Sequence, residues 1–257
     1  MLLSRMPMTA NIYDAIACFG CVLCAFAASK LIVALFNALP AKWLCDYNEQ
    51  PGAELYGKRL FFRPHGIVIT LVLTAAFIGL FYQYGYSFYF FACSFAAVIL
   101  LLISFADYRY SIIPDQFTLV LLLTAVAVTG YDLLSKQYLF SPDWLSPLYG
   151  AAAGAGLMLA LGLFGKLLYK KEAIGFGDVK LFGAIGILTG FPQILIVFLL
   201  TIFLAFFHII YLLLRKRISK EVYLPLGPYL CLGLLLFLAF NRQINGFCSW
   251  YMSLLSF

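Results

Sequence analysis

The chain has 257 residues, 64% of them hydrophobic and only 11% charged, with a net charge of +6. A soluble domain carries roughly 25% charged residues, so this composition excludes one, and apolar runs of about 20 residues recur, the length of a helix that crosses about 30 Å of hydrocarbon. Those runs show no period-two alternation, which excludes a transmembrane barrel. The basic residues sort by membrane side and form no single patch, so nucleic acid is not expected as a partner.

The prediction is an all-α, polytopic membrane helix bundle of about eight transmembrane helices, at roughly 11–37, 66–84, 88–106, 117–134, 147–168, 179–191, 193–214 and 225–241. The connections after spans one, three, five and seven hold Lys42, Lys58, Arg59, Arg63, Arg109, Lys166, Lys170, Lys171, Lys180, Arg215, Lys216, Arg217 and Lys220. The opposite side holds Arg5, Lys136 and Arg242. Positive charge stays on the cytoplasmic side, so both termini are expected to face outward. Two parts are expected: residues 1–65, the first span with a short cytoplasmic loop, and residues 66–257, the main helix bundle.

In the first span, Ala25-Phe26-Ala27 mimics a signal cleavage site, but the basic loop that follows argues for an uncleaved helix. Cys18, Cys21 and Cys24 lack a nearby His or carboxylate and are read as small packing hydrophobes. Residues 38–65 form the longest polar stretch, read as a cytoplasmic cap or a solvated connector, with Cys45 alone in it. No disulfide framework is legible. Tyr84-Gly85-Tyr86 makes a short outward hairpin with interfacial tyrosines. Span five opens with Gly150, Gly154 and Gly156, and span six carries Gly183, Gly186 and Gly190, all read as sites of close helix packing. Phe191-Pro192 then turns the chain sharply. His65 and His208 are read as packed or interfacial.

Two carboxylates stand out, because a charge at membrane depth costs a few kcal/mol and marks function by default. Asp107 ends span three and Asp178 opens span six, so the alternation of spans brings both to the cytoplasmic face. After Asp107, Pro114 disfavours helix at Ile113 and suits the start of the next helix, with Asp115 in its first turn as a capping or hairpin-fixing residue. Gly175 and Gly177 flank Phe176 and permit backbone conformations closed to other residues, with Asp178 as the N-cap. Lys180 lies two residues on and is read either as biasing Asp178 towards its anion or as snorkelling.

An Asp followed at +7 by Pro-Asp, and 71 residues beyond that first Asp by Gly175-Phe176-Gly177-Asp178-Val179-Lys180, resembles the type IV prepilin peptidases, intramembrane aspartyl peptidases of the Gly-x-Gly-Asp class. Pro225-Leu226-Gly227-Pro228-Tyr229 is similar to that family's Pro-Phe-Gly-Pro-Phe segment, and the likeness covers roughly residues 95–240. The resemblance implies cleavage of the short basic leader of prepilins or pseudopilins at the cytoplasmic face of the bacterial inner membrane, in pilus assembly or type II secretion. It implies Asp107 and Asp178 as the catalytic pair, no cofactor for proteolysis, and S-adenosylmethionine where the new amino terminus is methylated. Family members often hold zinc on two C-x-x-C pairs in the first cytoplasmic loop; here that loop offers only Cys45, so zinc is not expected and methyl transfer stays open. The competing reading is a small ion- or proton-coupled transporter, against which stand the lack of internal repeats and the placement of both aspartates at one face. Oligomeric state is not legible.

Overall fold

A computed structural model describes residues 8–45, 50–170, 174–215 and 225–255. Among them every regular element is helical: α1 (Met8–Ala38), α2 (Ile67–Tyr84), α3 (Phe88–Tyr110), α4 (Asp115–Ser135), α5 (Ser146–Tyr169), α6 (Phe176–Thr189), α7 (Gln193–Leu214) and α8 (Gly227–Leu255). Seven of these are long and apolar enough to cross a membrane, and the protein is a multi-pass membrane protein. Lys171, Lys216, Arg217, Lys220 and Arg5, which carry part of the charge asymmetry, lie outside the described residues.

The helix that falls short is α6, with 14 residues, or about 21 Å of rise. It can be short because protein surrounds it: α4, α5, α7 and α8 all pack on it, and Val179, Leu181, Phe182, Ala184, Ile185 and Leu188 are buried. Gly190 ends it at φ +71, a left-handed conformation that suits glycine. Ser146 at the start of α5 then holds Phe191, accepting from its N–H at 2.9 Å and donating to its carbonyl at 2.7 Å.

Close approach seats α6 against α5. A Cβ on Gly154 would lie 2.7 Å from the Phe182 carbonyl oxygen, and Gly150 and Gly186 face each other backbone to backbone. The expectation of tight packing therefore holds at these three glycines. It fails at Gly156, where a Cβ would meet nothing within 4 Å, and Gly183 makes only an ordinary contact, 3.6 Å to Ala155.

Two boundaries differ from the sequence reading. α3 continues through Tyr110 and closes on a left-handed Ser111 whose N–H bonds the Asp107 carbonyl at 2.8 Å. α8 continues well past residue 241, with a kink at Phe240. Polar residues did not end either helix, because the last turns of both still satisfy their own backbone.

α1 packs on α2 through a stripe of Ala17, Cys21, Ala25, Ser29, Ile32 and Phe36, spaced three or four residues apart and buried. Cys21 thus packs as expected, whereas Cys24 is exposed. The connector after α1 is folded back on that helix and is not simply solvated. Asn37 accepts from the N–H groups of Arg59 and Leu60 at 2.7 and 2.9 Å and donates to the Leu60 carbonyl. Arg59, counted above among the basic loop residues, is buried. Its guanidinium donates to Leu39 O at 2.8 Å and to Phe36 O, carbonyls left open at the end of α1, and to Leu55 O within the connector.

Candidate active site

Alternating helix directions bring the end of α3 and the starts of α4, α6 and α8 to one end of the bundle. Asp107 and Asp178 meet there, lining one cleft of about 950 Å³. They are 5% and 6% exposed, so each carboxylate is largely withdrawn from bulk solvent while facing a common space.

Each carboxylate is held by a backbone N–H at one oxygen. Asp107 Oδ2 accepts from Gly227 N at 2.8 Å, and Asp178 Oδ2 accepts from Gly175 N at 3.2 Å. Asp178 Oδ1 is buried and has no hydrogen-bond partner among the described residues. One oxygen of Asp178 is thus an anchor and the other is available for chemistry. The Asp178 bond corrects the N-cap expectation: Gly175 is the N-cap and Asp178 the third helical residue, reaching back as the acid of a capping box does.

None of these glycines is held by a positive φ, and space favours glycine at Gly177 and Gly227 alone. Gly175 has φ −74 and ψ 151, an extended conformation open to any residue. At Gly177 a Cβ would crowd Ile113 at 3.1 Å, so the missing side chain lets the start of α6 rest on the α3–α4 connection. Gly227 is tighter, since a Cβ there would lie 2.6 Å from Asp107 Oδ2. No side chain fits without moving the carboxylate, and the N–H that holds Asp107 belongs to the same residue.

Pro114 is buried at φ −63 and caps α4, its carbonyl accepting from Phe117 and Thr118 N–H at 3.1 and 3.2 Å. Asp115 opens α4 and pairs with a partner the sequence did not suggest. Both its oxygens lie 2.9 Å from Lys180 Nζ. The Lys180 ammonium thus reaches across to α4. The pair is over a third exposed on both sides, so its value lies in register between α4 and α6 more than in stability.

Gly227's bond to Asp107 and the contribution of the first connector were missed from sequence. Lys42, Cys45, Gln50, Pro51 and Tyr56 all line the cleft. The similarity of Pro225–Tyr229 to a family segment was the signal pointing to Gly227; nothing local pointed to the connector. A further buried carboxylate, Asp132, sits at the opposite end of α4, where Tyr89 Oη bonds it at 2.5 Å and the Gln137 carbonyl at 2.8 Å. It ties the start of α3 to the end of α4 and faces no part of the cleft.

The chain is similar to several known proteins. Residues 94–210 match the model of the Type IV leader peptidase family. A prepilin leader peptidase/N-methyltransferase of Aeromonas salmonicida (strain A449) is 31% identical over 158 residues, 60% of this chain and 50% of the relative. Leader peptidase HopD of Escherichia coli is 34% identical over 128 residues, 48% of this chain and 76% of the relative. A prepilin leader peptidase/N-methyltransferase of Bacillus subtilis (strain 168) is 25% identical over 189 residues, 73% of this chain and 69% of the relative. The match spans about half the length of the Aeromonas protein. No solved structure matches the chain.

Proposed function

Because this chain belongs to the type IV leader peptidase family, we propose that it is an intramembrane aspartyl endopeptidase that removes the basic leader of prepilins or pseudopilins. The cut is made at the cytoplasmic face of the bacterial inner membrane. The observation that carries this reading is the pair of buried carboxylates, Asp107 and Asp178, on two helices and opening into one cleft.

Two neighbouring carboxylates cannot both ionise cheaply, so the pair shares one proton. The ionised member takes a proton from water as the water oxygen attacks the scissile carbonyl carbon, and its partner donates a proton to the carbonyl oxygen. The tetrahedral intermediate then breaks its C–N bond. One of its hydroxyls returns a proton to the pair, and the departing amine takes one. The pair ends with the single proton it began with. Gly227 and Gly175 N–H groups keep both acids in place throughout.

The names of several relatives join N-methyltransferase to leader peptidase. Methylation of the new amino terminus from S-adenosylmethionine belongs to the proposal as a second activity. Proteolysis as written needs neither cofactor nor metal.

Asparagine is nearly isosteric with aspartate but cannot cycle a proton. Asp107→Asn and Asp178→Asn are each expected to lower leader cleavage by about a thousandfold or more, with unchanged protein level in the membrane. Asp115→Asn should lose activity only in part, because it weakens the tie to Lys180 and leaves both catalytic acids. Near-normal cleavage by either of the first two variants would sink the assignment.

A further inference from the structure

One stripe of α7 faces the bundle: Ile194, Val197 and Thr201 are buried, and His208 is half-buried about two turns further on. Seven residues separate Thr201 from His208, so both lie on one side of the helix. α7 packs on α8. A Cβ on Gly233 of α8 would lie 2.6 Å from Thr201 Oγ1 and 3.2 Å from the Val197 carbonyl oxygen. Nearer the start of α8, His208 Nδ1 is hydrogen-bonded to the Tyr229 hydroxyl. Resting on the peptidase reading above, we infer that His208 and Tyr229 are a positioning pair, which fixes the first turn of α8 and so keeps the Gly227 N–H on Asp107.

Polar side chains on membrane helices are costly unless partnered, and here each group answers the other. A neutral imidazole offers Nδ1 as acceptor or as donor, and a phenol can meet either. Tyr229 stands where the similar family segment has phenylalanine, so the hydroxyl and the histidine that meets it are features of this chain. The link to the site is short. Gly227 opens α8, so its N–H is among those a helix leaves without an internal partner. It goes instead to Asp107 Oδ2 at 2.8 Å. The Leu226 carbonyl closes the same turn, accepting from Tyr229 N at 3.1 Å and Leu230 N at 3.2 Å. Tyr229 therefore belongs to the turn that carries the Gly227 N–H: α3 holds that turn through Asp107, and α7 holds it through His208. Hydrogen bonds weaken steeply as distance and angle degrade, so a turn released from His208 loosens the hold on the catalytic acid.

The test measures kcat and KM for a prepilin with the full-length protein in proteoliposomes. His208→Phe and Tyr229→Phe are each expected to lower kcat by about three- to tenfold, with KM unchanged. The double variant should lose no more than either single one, since both remove the same bond. His208→Asn, whose amide places a donor and an acceptor near the Nδ1 position, should keep kcat within about twofold of the parent. Phe207→Leu, on the exposed side of α7, should change nothing. In a Gly227→Ala protein, where Asp107 has already lost its donor, His208→Phe should add no further loss. A purely structural role would lower kcat there as well, so an equal further loss overturns the positioning pair. Unchanged kcat in both single variants, losses that multiply in the double, or the same loss in His208→Asn as in His208→Phe also overturn it. An arm without turnover uses protein labelled with ¹⁵N in its two histidines. The His208 Nδ1 resonance is expected to shift in Tyr229→Phe while that of His65 stays in place; an unmoved His208 resonance overturns the contact. If the unsubstituted protein leaves the prepilin uncut, the peptidase reading fails and the positioning role falls with it. If it cuts and the kcat pattern is missing, only the positioning pair fails.

Discussion

At the residue scale the site depends on backbone N–H groups aimed at carboxylates, and on glycines that leave room for them. Gly227 does both for Asp107. Gly227→Ala places a methyl where the carboxylate oxygen lies, so Asp107 must rotate away from its donor and from the cleft. Cleavage should fall by about 10 to 100-fold, mainly in kcat, while the protein still inserts and unfolds normally. A loss confined to KM would show that Gly227 acts on substrate binding instead. The two aspartates were legible because a carboxylate at the end of a run such as 88–106 is costly, and because their span numbers put them at one end. Gly227 was legible only as part of a similar segment. Its contact joins residues 120 positions apart, and no local pattern encodes such a distance. The same holds for Lys180, whose partner is 65 residues away, and for Arg59, whose burial on backbone carbonyls contradicts what a basic loop ordinarily implies.

At the element scale, apolar length located every helix, but not every helix end. The shortness of α6 and its enclosure follow from its neighbours, above all the backbone contact with α5. Gly154→Leu should force those helices apart at the Phe182 carbonyl and cost about 1–3 kcal/mol as overpacking, read as a lower Tm in detergent. Gly156→Leu, two residues away and facing open space, should leave Tm unchanged. A fall for both would mean that something other than the α5–α6 contact sets the effect, since leucine has the higher helix propensity of the two residues. The first connector is the other informative element. It closes one side of the cleft, and it is braced by Arg59 and Asn37 on the end of α1. That polar brace is a means of ordering the loop that uses no metal. Its Cys45 thiol lies 3.6 Å from the Lys42 carbonyl, and the described residues contain no group of three potential ligands, whereas a structural zinc takes four; Asp46 and Glu49 lie outside the described residues. Purified protein should therefore carry no stoichiometric zinc, and chelators should leave cleavage unchanged. One zinc per chain, with activity lost on its removal, would overturn this reading.

At the scale of the whole molecule, orientation decides whether the cleft can meet an uncleaved leader. The helices fix which residues share an end: Arg109, Lys42 and Lys180 lie with the two aspartates, and Lys136 and Gln137 with Asp132. They do not say which end faces the cytoplasm. That comes from charge, since Lys and Arg are retained on the cytoplasmic side during insertion. Burial of Arg59 weakens the count only slightly, because the retention acts on the nascent chain before Arg59 finds its carbonyls, and its neighbours Lys58 and Arg63 remain. In a background with the seven native cysteines replaced, Gln137→Cys should react with an impermeant thiol reagent added outside intact cells. Arg109→Cys, two residues from Asp107, should react only after the membrane is opened. Both side chains are exposed, so failure to label reports the side of the membrane, not burial. The opposite pattern would put the carboxylate cleft on the outer face, where a leader still attached to its cytoplasmic precursor cannot reach it.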